Sequence, residues 1–300
     1  MHDNTPDEHI PLLKGVGFRH FNIEMSCFGD GLDDAAFFAQ VEKTKRVLSE
    51  TGTDGVLAHA VCGRLNRAPY EEIVKETVRH VRACDILGIP DLVVHPLYAS
   101  EFHPRQMYEF NRQFYRDILA ETKDSQTHLL IENFADTEVN GSCLCSGADM
   151  SDFLDYLGED DRVGACWDTA HCSLSRAPRD DQYAGIKALG GRLRALHISD
   201  NFGMPNQHWH SFPFSGIINF DAVLCALAEI GYRGAFNYEA SYIVREPWMP
   251  PKRRKEWTHP TDETFRPKLW APPLSLKLKA EELLYETGKY MLEQYGLFEE

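Results

Sequence analysis

Six side chains of types that bind metal ions each end, or nearly end, a short apolar segment of this 300-residue chain. Imidazole and carboxylate groups together suit Zn²⁺, Mn²⁺, Fe²⁺ or Co²⁺, whereas Mg²⁺ and Ca²⁺ prefer sites built from oxygen alone. Carboxylates gathered in one small cavity would repel one another without a cation. The pattern therefore predicts a divalent transition-metal cofactor, and the candidate ligands are His59, His95, Glu132, Asp168, His197 and Glu239.

Two loop motifs add nitrogen donors to this set. His171 follows Asp168 by three residues, a spacing at which a tight turn brings both side chains to the same side. His208 and His210 are two residues apart and follow the apolar segment that contains His197. We interpret His171, His208 and His210 as further ligands or as groups that contact a substrate.

The segments that carry these side chains alternate with amphipathic stretches of helical period. Short apolar strands that alternate with helices predict βαβ units, a parallel sheet and the α/β class. We expect a single (β/α)8 TIM barrel, in which the carboxyl ends of the strands meet at one rim and form the active site. An eight-stranded barrel needs one strand more than these segments supply, and the place left for it at the front, residues 1–14, ends in a helical pattern, so the first βα unit is predicted to be truncated. The predicted strands are Phe18–Glu24, Gly55–Ala60, Asp91–His95, His128–Glu132, Val163–Asp168, Leu193–Ser199 and Ala235–Glu239.

One domain over residues 1–300 accounts for this alternation. Residues 243–272 form a different kind of segment, an arm with five prolines between Glu246 and Pro267 and three tryptophans. We expect so apolar a segment to pack against the barrel or a second subunit, which makes a homo-oligomer the predicted assembly. A final helix is predicted over residues 274–295.

Charge and composition argue against several classes of function. The chain has 31 Lys and Arg against 46 Asp and Glu, and the resulting formal charge of −15 repels nucleic acids and anionic membranes. No apolar run approaches the ~20 residues that span a bilayer, and the N-terminus lacks the apolar core of a secretion signal. The eight cysteines are irregularly spaced, which favours reduced thiols. We therefore expect a cytoplasmic protein that acts on a small molecule.

The chain carries six short motifs in a fixed order: Val93-Val-His95-Pro, Ile131-Glu-Asn133, Trp167-Asp-Thr-Ala-His171, Leu196-His-Ile-Ser-Asp-Asn201, His208-x-His210 and Tyr238-Glu239. This order resembles the xylose isomerase-like TIM barrels. That superfamily contains sugar and sugar-phosphate isomerases, ketose 3-epimerases, inosose dehydratases and the endonuclease IV repair nucleases. The resemblance covers residues 16 to 242 and implies the barrel and a metal site at its rim, but it does not specify the reaction.

The epimerase-like interpretation uses one divalent metal. Under the resemblance, Glu132, Asp168, His197 and Glu239 are its four ligands. His171 matches a contact to a substrate oxygen, and Glu138 matches a second glutamate that those epimerases keep near the substrate. In this interpretation, further substrate-binding side chains are His59, His95 and His210.

The nuclease-like interpretation keeps the same four ligands around one zinc ion and adds two more ions. His59 and His95 share Glu132 around the second ion, and His171 and His210 bind the third. His208 stands where that family has an aspartate, so this sequence departs from the pattern at the third ion.

These alternatives predict different chemistry. A sugar isomerase or epimerase needs a cation that chelates a carbonyl and a hydroxyl oxygen, and bases that move a proton at the adjacent carbon. Glu132 and Glu239 are the predicted catalytic bases. Dehydration of an inosose begins with the same proton abstraction. The alternative function is a zinc phosphodiesterase that acts on abasic DNA. The third hypothesis is a barrel that binds a ligand without turning it over.

Overall fold

The computed structural model describes the chain in thirteen stretches. They are residues 6–29, 31–63, 65, 68–98, 103–135, 143–158, 161–174, 181–204, 209–240, 258–264, 266, 269 and 272–298. Most of the arm at 243–272, with its three tryptophans, lies outside the described residues, as do Glu138 and His208. The packing of the arm and the homo-oligomer therefore stay predictions.

Six parallel strands form one curled sheet in which the order in space follows the order in sequence. This is the α/β barrel architecture that the strand–helix alternation predicted, because βαβ crossovers place each strand beside the preceding one. The strands are β1 (His20–Glu24), β2 (Asp54–His59), β3 (Asp91–Val94), β4 (His128–Glu132), β5 (Val163–Asp168) and β6 (Leu193–His197).

Helices follow the strands and cover the outer face of the sheet. The final helix confirms the prediction for residues 274–295, and a helix ahead of β1 occupies the place of the truncated first unit. The helices are α1 (Pro6–Gly15), α2 (Asp34–Thr51), α3 (Tyr70–Leu87), α4 (Pro104–Glu121), α5 (Gly147–Leu157), α6 (Thr169–Ser173), α7 (Gln182–Leu189), α8 (Phe220–Ile230) and α9 (Leu274–Gln294).

The predicted seventh strand, Ala235–Glu239, joins the sheet by a single parallel bridge between Ile198 and Tyr238. The backbone N–H of Ile198 donates to Asn237 at 2.8 Å, and that of Glu239 donates to Ile198 at 3.1 Å. Within the described residues no strand pairing joins this segment to β1. Instead, α1 and α9 line the space between them.

Side-chain alternation explains why the predicted site residues converge. Alternate residues of a strand point to the same face, so a residue two positions after an inner core residue also points inward. One inner core residue comes from each strand of β2–β6: Leu57, Val93, Leu130, Cys166 and Ala195. Two positions later stand His59, His95, Glu132, Asp168 and His197. The layer of five apolar side chains therefore lies directly beneath the polar side chains of the rim.

Candidate metal centre

Four of the predicted ligands come together at the rim. Glu132, Asp168, His197 and Glu239 each offer one ligand atom, and these atoms lie within 4.8 Å of one another. The imidazole Nδ1 of His197 lies 2.9 Å from Glu132 Oε1 and 2.7 Å from Glu239 Oε2. His197 therefore lies between the two carboxylates that the sequence predicted as bases. We call these residues the four-ligand group.

Two further groups share residues with the four-ligand group. The first contains His59, His95 and Glu132, and the second contains Asp168, His171 and His210. His95 Nε2 lies 2.7 Å from Glu132 Oε2, and His59 Nε2 lies 3.4 Å from the same oxygen. The five histidines predicted from the described part of the chain thus all belong to the site.

The turn after β5 brings Asp168 and His171 together, as their spacing predicted. Asp168 caps the amino end of α6, a helix that the sequence analysis did not foresee, and its Oδ1 accepts a hydrogen bond from the His171 backbone N–H at 2.6 Å. The imidazole Nδ1 of His171 hydrogen-bonds the backbone carbonyl of Asn133 at 2.7 Å. Because that carbonyl accepts the Nδ1 proton, Nε2 of His171 is left as the ligand atom.

Asn133 is a positioning residue that the sequence analysis quoted without a role. Its amide Nδ2 donates to the carbonyl of Asp168 at 3.0 Å, and its Oδ1 accepts from the Asp168 backbone N–H at 2.6 Å. The side chain is fully buried between the ends of β4 and β5. It therefore fixes the backbone of one ligand against the strand that carries another, Glu132.

The loop after β6 is held by a buried carboxylate with three backbone donors. Asp200 accepts hydrogen bonds from the N–H groups of Asn201, Gly216 and Ile218 at 2.7 to 3.0 Å. Its backbone also pairs with Ser211 in an antiparallel bridge. This loop places His210 Nδ1 at 3.6 Å from Asp168 Oδ2.

The carboxylates of the site have opposed electrostatic environments. Burial disfavours the charged form of Glu132, but His197 and His95 outweigh it, so its pKa lies well below the usual range. Burial raises the pKa of Asp168 to about 6, against the attraction of His210 and with the repulsion of Glu239. Asp168 is therefore the carboxylate that most lacks a positive partner.

The donor set fits a divalent cation. Asp168 is fully buried, and its Oδ2 has no hydrogen-bond partner among the described residues. An unpaired buried carboxylate oxygen is costly, and a cation held also by Glu132, Glu239 and His197 would remove that cost. Three oxygen donors and one imidazole suit Mn²⁺, Zn²⁺, Fe²⁺ or Co²⁺.

A cavity of about 1050 Å³ reaches the site from the open side of the sheet. At the rim it is lined by Glu239 and His210, and also by Glu24, the last residue of β1. The sequence analysis missed Glu24, although it ends a predicted strand exactly as Glu132 and Glu239 do. This position at the carboxyl end of a strand is the sequence signal that identifies Glu24 as a rim residue.

Metal removal should make stability depend on pH. Burial disfavours the imidazolium of His59, yet Glu24 and Glu132 overcome it and raise the pKa of His59 to about 9. A raised histidine pKa contributes stability that is present below about pH 6.5 and lost as pH rises through about 9. With chelator present, we expect the melting temperature to fall over this range, with His59 contributing on the order of 3 kcal/mol. The same scan checks His59→Gln, in which the fall should be smaller.

The metal-loaded protein is the control for this scan. A cation bound to Glu132 would offset the carboxylate charge that helps to raise the pKa of His59, so bound metal should flatten the dependence between pH 6.5 and 9. A metal-free protein whose melting temperature is constant or rises across this range would contradict the assignment.

The chain is similar to proteins of one family. A model of the xylose isomerase-like TIM barrel matches residues 7–258. The uncharacterized protein y4fM of Sinorhizobium fredii is 23% identical over 281 residues, with 82% of this chain and 86% of the relative covered. A probable endonuclease 4 of Methanoculleus marisnigri is 30% identical over 146 residues, with 44% of this chain and 49% of the relative covered.

Solved structures agree on the fold. A D-psicose 3-epimerase crystallised with D-fructose superimposes with a TM-score of 0.71 at 15% identity, with 97% of this chain and 94% of that chain covered.

Within the part of the chain that the structure describes, no helix combines the length and apolar character needed to cross a bilayer.

Proposed function

Because the chain belongs to the xylose isomerase-like TIM barrel family, we propose that it is a divalent-metal-dependent isomerase or epimerase of a sugar. The observation that carries the proposal is the four-ligand group, in which a buried carboxylate oxygen of Asp168 has no hydrogen-bond partner among the residues that the structure describes. The similarity in fold to a D-psicose 3-epimerase supports the sugar as substrate. The metal is one of Zn²⁺, Mn²⁺, Fe²⁺ or Co²⁺.

When bound, the cation would polarise a carbonyl and an adjacent hydroxyl oxygen, so that the neighbouring C–H bond becomes acidic. Glu132, Asp168, His197 and Glu239 would hold it. The reaction then needs a base that takes the proton and a group that returns one to the other face or to the adjacent carbon.

Glu239 is the base best placed to receive the proton. Its side chain is 39% exposed and lines the cavity, whereas the Glu132 side chain is 1% exposed beneath the rim. The pKa of Glu239 lies below its usual range, because His197 and His210 outweigh the effect of burial. Glu239 is therefore ionised and able to accept. Glu132, from β4, is the partner base on the other side of His197.

The histidines complete the pocket. Burial lowers the pKa of His171 to about 4, so the imidazole is neutral at pH 7 and binds a hydroxyl group without adding charge. His210 lines the cavity beside Glu239 and is the second substrate contact. The proposal also assigns substrate contacts to His59, His95 and Glu138, of which Glu138 lies outside the described residues.

Solvent exchange tests the reaction. The protein, loaded with each of the four metals, is incubated in deuterated water with ketoses, aldoses, their phosphates and inososes. We expect deuterium at the carbon next to the carbonyl in at least one sugar, because the exposed Glu239 exchanges its proton with water. Protein treated with chelator is the control. Absence of label from every sugar with every metal would refute the isomerase.

A second function has one observation in its favour. The His59–His95–Glu132 group and the Asp168–His171–His210 group provide places for two more ions beside the four-ligand group. Three clustered ions suit phosphodiester cleavage, and the relative described as a probable endonuclease 4 matches 44% of the chain. The number of metal ions bound per chain distinguishes the two functions. One ion favours the isomerase or epimerase, and three ions together with nicking of abasic DNA favour the nuclease.

A further inference from the structure

Apolar side chains lie on two opposite faces of α9. Its inner face packs on the barrel, where the ring centroid of Tyr285 lies 5.3 Å from that of Phe18. On its outer face, Leu276, Leu283 and Tyr290 are 48%, 52% and 57% exposed. A helix at the surface of a globular protein turns its apolar face to the core and a polar face to water. The outer face of α9 therefore carries apolar surface that the barrel does not bury.

These three outer side chains, which we call the outer stripe, lie in a row along the helix. They are seven residues apart, or about two turns, so each lies nearly above the one before it. At about 1.5 Å per residue, the row is roughly 21 Å long. Apolar residues at every seventh position are the pattern by which helices pack side by side. The outer stripe is therefore suited to contact with a second helix.

Charged side chains run beside the outer stripe. Lys279 and Glu286 are exposed, and each follows a leucine of the outer stripe by three residues. If two copies of α9 packed in parallel, Lys279 would face Lys279 and Glu286 would face Glu286, and these like charges would repel. If they packed antiparallel about Leu283, Lys279 of each copy would lie beside Glu286 of the other. The charges therefore favour an antiparallel pair.

The antiparallel pair also matches the apolar side chains. Leu283 lies at its centre and faces Leu283 of the second copy, while Leu276 of each copy faces Tyr290 of the other. A two-fold axis through this point relates the halves of the interface, which is the commonest symmetry of homo-oligomers. The outer stripe and its charges are therefore complementary to themselves, and such a surface selects a second copy of this chain as its partner.

We propose that two copies of this chain associate through the outer stripe, with their α9 helices antiparallel about Leu283. The inference goes beyond the proposed function and does not rest on it. The cavity beside the metal centre is lined by the inner face of α9, at Glu281, Tyr285 and Gly288. Dimerisation therefore uses a face of α9 that does not belong to the pocket.

Sedimentation velocity of the full-length, metal-loaded protein tests the proposal. We expect a dimer with a dissociation constant on the order of 1 µM. Leu283→Lys places two ammonium groups side by side at the centre of the interface and should raise that constant at least about 100-fold. Because Leu283 is half exposed, the circular dichroism spectrum of the variant should match that of the wild type.

Leu274→Lys is the matched control. Leu274 belongs to the same helix and is also 52% exposed. It precedes Leu283 by about two and a half turns, so it lies on the opposite side of α9 from the outer stripe. The variant makes the same chemical change at the same exposure, and it should dimerise as the wild type does.

Charge reversal tests the antiparallel arrangement. Lys279→Glu and Glu286→Lys should each weaken the dimer about tenfold, because each sets like charges against one another. The variant that combines both changes restores opposite charges and should return to within about threefold of the wild-type constant. Within one chain these two residues are about 10 Å apart along the helix, so only a contact between copies explains the rescue.

Four results would each overturn the proposal. They are a wild type that stays monomeric at about 100 µM, a Leu283→Lys variant that stays dimeric, a Leu274→Lys variant that dissociates to the same extent, and a double variant no tighter than the single ones. A monomeric wild type would assign the outer stripe to another segment of the chain or to a different protein. If Leu283→Lys does not fold, the charge reversal still decides, because Lys279 and Glu286 are exposed.

Discussion

Asp168→Asn is expected to weaken metal binding by at least about 100-fold and to stabilise the metal-free protein. The amide keeps an oxygen for the His171 N–H but removes the negative charge that a cation would neutralise. The wild-type carboxyl, with a pKa of about 6, is charged at pH 7.5 at a cost of on the order of 3 kcal/mol when no metal is present.

The measurement is a pair of melting curves for each protein at pH 7.5, one with chelator and one with added metal. The variant should melt above the wild type in chelator and below it in metal. Metal content by elemental analysis gives the binding loss directly. This crossing of the two curves is specific to a ligand, because a purely structural carboxylate would lower both.

Asp200→Asn provides the opposite pattern as a control. Asp200 is equally buried at the same rim, yet its carboxylate is satisfied by three backbone N–H groups and belongs to no ligand group. We expect this variant to lose stability with and without metal and to keep its metal. If both variants behave alike, the assignment of Asp168 as a ligand is wrong.

Glu239→Gln is expected to reduce solvent exchange and turnover by roughly 10³-fold, since it removes the exposed base from the pocket. Part of the loss could come from weaker metal binding, so exchange is reported per bound metal ion. His210→Ala is the matched control, because His210 lies 3.8 Å from Glu239 Oε1 but outside the four-ligand group. It should slow turnover about tenfold and leave the metal in place.

The reciprocal variant, Glu132→Gln, tests whether two bases share the reaction. With one base on each side of the bound sugar, this variant should still label the epimer that Glu239 deprotonates, without forming the opposite epimer. Metal content is again measured in the same sample. Label in both epimers with Glu239→Gln, at full metal content, would remove Glu239 from the mechanism.

The sequence alone determined which segments become β1–β6 and which of their residues point inward. Largely apolar runs of five to seven residues separated by amphipathic helices specify a parallel sheet, and alternation along each strand then assigns its faces. These are local properties of the chain. For that reason Glu132, Asp168 and His197 could be identified as neighbours at one rim before any distance was known.

Tertiary structure decided which residues act together. The register between β5 and β6 shifts at Ala165 and Cys166, and this shift places Asp168 directly opposite His197. No sequence pattern reports such a shift, because it depends on how the whole sheet curls. The same holds for the segment 235–239, which is predicted as a strand but joins the sheet through one bridge, to the residue that follows β6.

Burial and charge were likewise decided by the fold. Distances of a few ångströms between separate strands decide three features of the rim. They are the Asp168 oxygen that has no partner among the described residues, the two hydrogen bonds of Asn133 to the Asp168 backbone, and the accessible carboxylate of Glu24. The sequence lists side chains that can ligate or bind. Only the packing of the chain determines which of these side chains are buried without a hydrogen-bond partner and which stay accessible. The first kind needs a cation and is assigned as a metal ligand, whereas the second kind can contact a substrate.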